Sequence, residues 1–124
     1  MSETPGKAVV SLTTGMEDPE KVTVAFLVAV GAVEEGRPAL MFLTKEAVRL
    51  ATPGFADSTA CEGCPPLAKL FQQFAENNGE LLVCPICMNA RKIDEASLVP
   101  NARAGGATPL WQWIGVEAAS VFSY

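Results

Sequence analysis

Short apolar runs without polar alternation recur along this chain, and helical signals separate them. Residues 8–12, 39–43 and 80–83 each read as near-continuous Val, Leu, Ala, Met or Phe. Runs of that length predict strands buried on both faces. Asp18, Pro19 and Glu20 supply an N-cap acid, a first-position proline and a first-turn acid, which predict a helix running to about Glu35. Gly36 ends it. Its middle, residues 22–33, is apolar nearly all round. Such a helix packs on a sheet with one side and on a second surface, such as another subunit, with the other.

Thr44 is predicted to cap a short helix over 45–51, and residues 52–65 form a loop with Pro53, Gly54 and Gly63. Leu67, Leu70, Phe71, Phe74 and Ala75 follow the i, i+3, i+4, i+7, i+8 pattern, so 66–78 is predicted as an amphipathic helix stopped at Asn78-Gly79. Cys84-Pro85 opens a helix reaching about Lys92. A short strand is predicted over 102–104. Thr108-Pro109 starts a helix that ends at Gly115, and a last strand covers 118–122. Short strands separated by helices define an α/β fold: a mostly parallel sheet of about five strands with helices on both faces, three layers in all. No repeat or linker interrupts residues 1–124, which are read as one domain.

Composition narrows the function classes. Hydrophobic residues make up 49% of the chain, enough for a core that needs no metal or disulfide staple. Net charge is −5. The nine basic residues are scattered, with only Arg91-Lys92 adjacent, so there is no stripe to neutralise phosphates and no direct nucleic-acid binding is expected. The absence of histidine removes every Ser-His and Cys-His catalytic pair. The amino-terminal residues are polar, with no signal-peptide apolar region, and the 22–33 window is too short to span a bilayer. No membrane association is expected, and the expected compartment is the cytoplasm, where thiols stay reduced.

That leaves the cysteines as the candidate chemistry. They form two Cys-x-x-Cys pairs, Cys61/Cys64 and Cys84/Cys87, spaced Cys-x2-Cys-x19-Cys-x2-Cys. Cys84 lies where the third strand gives way to a helix, the edge at which open α/β sheets place their sites. The preceding helix leads down into that strand, so Cys61 and Cys64 are expected at the same edge. A thiol at a helix N-terminus is favoured as thiolate by unpaired N–H groups. Arg91, four residues after Cys87, shares its helix face and is expected to add positive charge. Three chemistries fit: a persulfide-carrying nucleophile, a dithiol redox pair, and a metal site. In the last, Cys61, Cys64, Cys84 and Cys87 together would hold zinc or an iron–sulfur cluster. The first two require no cofactor.

These residues resemble the DsrE/DsrF/TusD family, with its YchN-like fold, over nearly the whole chain. The resemblance rests on residues 8–15, the long helix ending Glu34-Glu35-Gly36, Leu40-Met41-Phe42-Leu43, and Leu81-Leu82-Val83-Cys84 with the helix ending Ala90-Arg91-Lys92-Ile93. The late Ala104-Gly105-Gly106 segment, the short helix and a final strand ending Val121-Phe122 also fit. It implies a parallel α/β sheet, a homo-trimer or hexamer, and sulfur-donor or acceptor proteins as partners. It also implies a sulfurtransferase or sulfur-relay role, with the persulfide on Cys84; Cys87, its Cys-x-x-Cys partner, is read as the resolving thiol. Two departures stand out. Lys92 occupies a position where the family often has glycine, and Cys61-Glu62-Gly63-Cys64 lies outside the sulfur-relay motif.

Other residues carry weaker signals. Thr13, Thr14 and Gly15 follow the first strand; Thr14 and Gly15 are candidate substrate-binding groups at the site edge, against the simpler reading of a turn. Lys45 and Arg49 are expected on a solvated face. Trp111 and Trp113, two apart, cannot share a helix face, so one is expected in the core and the other exposed or at a subunit interface. Asp57, Glu62 and Glu80 read as surface acids.

Overall fold

The computed structural model describes residues 6–58 and 62–124. Five strands, β1 (Lys7–Leu12), β2 (Ala39–Leu43), β3 (Glu80–Val83), β4 (Ala102–Ala104) and β5 (Ala119–Ser123), form one sheet in the order β4-β3-β2-β1-β5. Every pairing is parallel. The α-helices are α1 (Pro19–Glu34), α2 (Leu67–Glu76), α3 (Pro85–Ala90) and α4 (Ala107–Ile114), and a 3-10 turn spans Lys45–Ala51.

Strand residues divide between the two faces by alternation. Ala8, Val10, Leu12, Met41, Leu43, Leu81 and Val83 join α1, α2 and the 3-10 turn in the main core. Phe26 of α1 stacks on Phe71 of α2 at 5.6 Å between centroids and meets Phe74 edge-on at 6.4 Å. Phe26 and Phe74 are fully buried, each worth roughly 1.5–3 kcal/mol of apolar transfer. Val9, Leu40 and Leu82 face the other way and are equally buried. Over that second face lies α4. It is fixed at its end by Lys7, whose Nζ donates to the carbonyls of Trp113 and Ile114. The Trp113 indole N–H donates to Glu80 at 2.6 Å. Helices therefore cover both faces.

α1 forms as predicted: Asp18 accepts from the Lys21 N–H at 3.1 Å and Pro19 occupies the first turn. Its sheet-facing side is buried, while Val24 and Leu27 are 40% and 44% exposed. Three local expectations change. The 45–51 segment winds as a 3-10 turn, and Thr44 makes no side-chain cap. α4 starts at Ala107 behind Gly106, two residues before the proline signal. Glu80 is half-buried as the acceptor for Trp113, not a surface acid. The tryptophans split by exposure: Trp111 is 70% exposed and Trp113 is half-buried. No helix among the described residues is long and apolar enough to cross a membrane.

Candidate functional site

The strands end at a common edge formed by Thr13-Thr14-Gly15 after β1, Thr44-Lys45-Glu46 after β2, and Cys84 after β3. Cys84 directly follows β3 and caps α3. Its N–H donates to the Leu43 carbonyl at 3.0 Å and its carbonyl accepts from the Met88 N–H at 3.0 Å. Both backbone groups are committed, which holds the Cα and leaves the side chain as the free element of the turn. Pro85 gives up no ladder donor at this position.

Cys84 and Cys87 are free thiols, both half-buried against the main core. Ile86 stands between them at 79% exposure, and Met88 behind them is fully buried. The turn thus exposes an apolar side chain beside two thiols while its other side is anchored inside. Cys64 differs: it is disulfide-bonded. It lies three residues before α2, which descends into β3, so it starts from the same edge. Cys61 falls outside the described residues. In this state Cys64 offers no thiolate, and no group of three or more His, Cys, Asp or Glu among the described residues is arranged to hold a metal ion.

Arg91 lies near Cys87 as expected, but not as a free cation. It caps α3, its Nη1 donates to the Cys87 carbonyl at 3.2 Å, and its Nε donates to Glu46 at 2.7 Å. The other Glu46 oxygen accepts from Arg49 at 2.9 Å. The Arg91 and Arg49 hydrogen bonds hold the Glu46 carboxyl below its ordinary value. Glu46 is the site residue that sequence reasoning missed. Lys45 is exposed, as expected.

Thr14 and Gly15 are at the edge, but their donors are engaged. Thr13 and Thr14 hydroxyls both donate to the Tyr124 carbonyl, at 3.2 and 3.4 Å. The Gly15 N–H donates to the Glu17 carboxylate at 2.7 Å. Lys92 has a left-handed φ of 57°. Glycine adopts that conformation without a steric penalty.

The fold is thus a small α/β domain with an all-parallel sheet and two free cysteines on the turn at the carboxyl edge of an interior strand. The chain belongs to the DsrE/DsrF-like family, whose model matches residues 7–122. Its fold is similar to that of the ychN protein from E. coli, with a TM-score of 0.77 and 19% identity over 97% of this chain and 100% of that one. It is also similar to MTH1491 from Methanobacterium thermoautotrophicum, described as a protein of unknown function, with a TM-score of 0.65 and 9% identity over 97% and 100% of the two chains. At these identities the likeness carries the fold alone. No curated protein matches the chain.

Proposed function

We propose that this is a cytoplasmic sulfur-carrier or thiol-redox protein in which Cys84 is the nucleophile and Cys87 the resolving thiol. One observation carries the reading: both cysteines are free on the turn between β3 and α3, where the family resemblance puts the sulfur-carrying cysteine. The Cys84 thiolate attacks the outer sulfur of a donor persulfide. A new S–S bond forms on Cys84, the donor's S–S bond breaks, and the donor leaves as a thiolate. An acceptor thiolate then attacks that outer sulfur and leaves with it, restoring Cys84. Alternatively, Cys87 attacks the inner sulfur, closing a Cys84–Cys87 disulfide and releasing hydrosulfide; a dithiol reductant must then reopen the pair.

A homo-trimer or hexamer is supported by Val24 and Leu27 on α1 and by Val121 and Phe122 on edge strand β5, all at least 40% exposed. Native mass spectrometry of freshly purified protein tests the whole reading. It should show an oligomer with no bound metal and, after treatment with a persulfide donor, one added sulfur per subunit that Cys84→Ser abolishes. Stoichiometric zinc or iron would favour the metal-site reading instead.

A further inference from the structure

Three features converge on Glu46, which no cysteine neighbours in sequence. First, its carboxylate joins Arg49 of its own turn to Arg91 at the end of α3, 45 positions away. Second, a Cβ at Gly15 would lie 2.7 Å from the Glu46 carbonyl oxygen and 2.9 Å from its carbon, so only glycine lets the β1–α1 turn close onto this backbone. Third, Lys45 adopts a left-handed φ of 54°, a conformation with a steric cost for any residue but glycine. A glycine without room for a methyl group and a strained lysine both serve to set where Glu46 stands.

We propose that Glu46 is a positioning residue for the cysteine turn: it holds Arg91 across the Cys87 carbonyl and ties α3 to the turn that follows β2. The role rests on the Cys84–Cys87 pair being the working site. Arg91 is then a strut whose charge is already answered. The charged groups around the turn are Lys45, Glu46 and Arg49 from the segment packed on α3, Arg91 and Lys92 at its end, and Glu17 in the turn closed onto Glu46. Neutralising Glu46 removes the carboxylate that answers Arg91 at the end of α3 and raises the net positive charge next to the cysteine turn. Neutralising Arg91 lowers that charge and leaves Glu46 paired with Arg49 alone.

The test is the pH profile of iodoacetamide alkylation, resolved for Cys84 and Cys87 by peptide mass spectrometry, in the full chain. Glu46→Gln should move the midpoint down by roughly a few tenths of a pH unit to one unit, and Arg91→Gln should move it up by a similar amount. The double variant should return close to the parent. Loss of packing alone does not give opposite signs, so shifts in one direction, or no shift, overturn the proposal. If a Gln variant fails to fold, Glu46→Asp and Arg91→Lys replace the pair. These keep the charges but loosen the contact, and should raise the alkylation rate of Cys87 relative to Cys84; an unchanged ratio overturns the proposal. Alkylation needs no sulfur donor, so failure of sulfur loading leaves this result standing.

Discussion

Replacing Gly15 by alanine puts one methyl group against a backbone that has nowhere to go. The added Cβ would sit 2.7, 2.9 and 3.0 Å from the Glu46 oxygen, carbonyl carbon and Cβ. Ordinary contact begins about 0.5 Å or more further out, and the obstacle is main chain that a rotamer change does not move. Ala47 and Val48 behind it are fully buried. The cost is that of overpacking, about 1–3 kcal/mol. For a chain of this length each kcal/mol corresponds to roughly 3–6 °C in Tm, so Gly15→Ala should melt about 3–18 °C below the parent. Urea unfolding followed by circular dichroism should give the same loss with an unchanged slope. Gly31→Ala is the control. Gly31 lies inside α1 with nothing within 4 Å of its would-be Cβ, so alanine should stabilise by about 0.5–1 kcal/mol. The close approach of Gly15 to Glu46 would be refuted by a Gly15→Ala variant within about 0.5 kcal/mol of the parent, the range of inconsequential surface changes.

Lys7→Met removes the cation that bonds the last carbonyls of α4, and should cost about 1–2 kcal/mol by denaturant unfolding. Lys7 also lies 4.9 Å from the Trp113 ring centre, so that variant should change the tryptophan fluorescence. Lys92→Gly relieves a left-handed lysine at about 1–2 kcal/mol while adding about 0.5–1 kcal/mol of unfolded-state entropy. It should therefore raise stability by roughly 0.5 kcal/mol in the same assay. The Glu46 carboxyl is held below its ordinary value of 4.5 by Arg91 and Arg49. A depressed folded value contributes stability above the unfolded value and loses it as pH falls through the folded one. Stability measured across that acid range should fall less steeply for Glu46→Gln than for the parent.

Much of the fold was legible because burial on both faces writes strands as plain apolar runs. The stretches at 39–43 and 80–83 match the observed strands residue for residue. Asp18 and Pro19 marked the start of α1 because capping chemistry is local. Thr44 misled for the opposite reason: the left-handed Lys45 turns the chain before a capping geometry can form. Of the site, the placement of Cys84 followed from topology, since a helix after a parallel strand begins at its carboxyl end. The pairing of Arg91 with Glu46 left no periodic trace, because contacts 45 positions apart depend on how separate elements pack. Glu80 was misread for the same reason: its partner, Trp113, belongs to a helix that crosses from the β4 edge to the β5 edge over the second face.

The central claim is that sulfur is carried on Cys84. Its most direct measurement is peptide-resolved mass spectrometry of the chain after brief mixing with a low-molecular-weight persulfide and blocking with an alkylating agent. The account predicts one extra sulfur on the peptide bearing Cys84, retained or increased in Cys87→Ser, where the resolving thiol is missing. Sulfur found on Cys87 alone, or equal loading in Cys84→Ser, would contradict it.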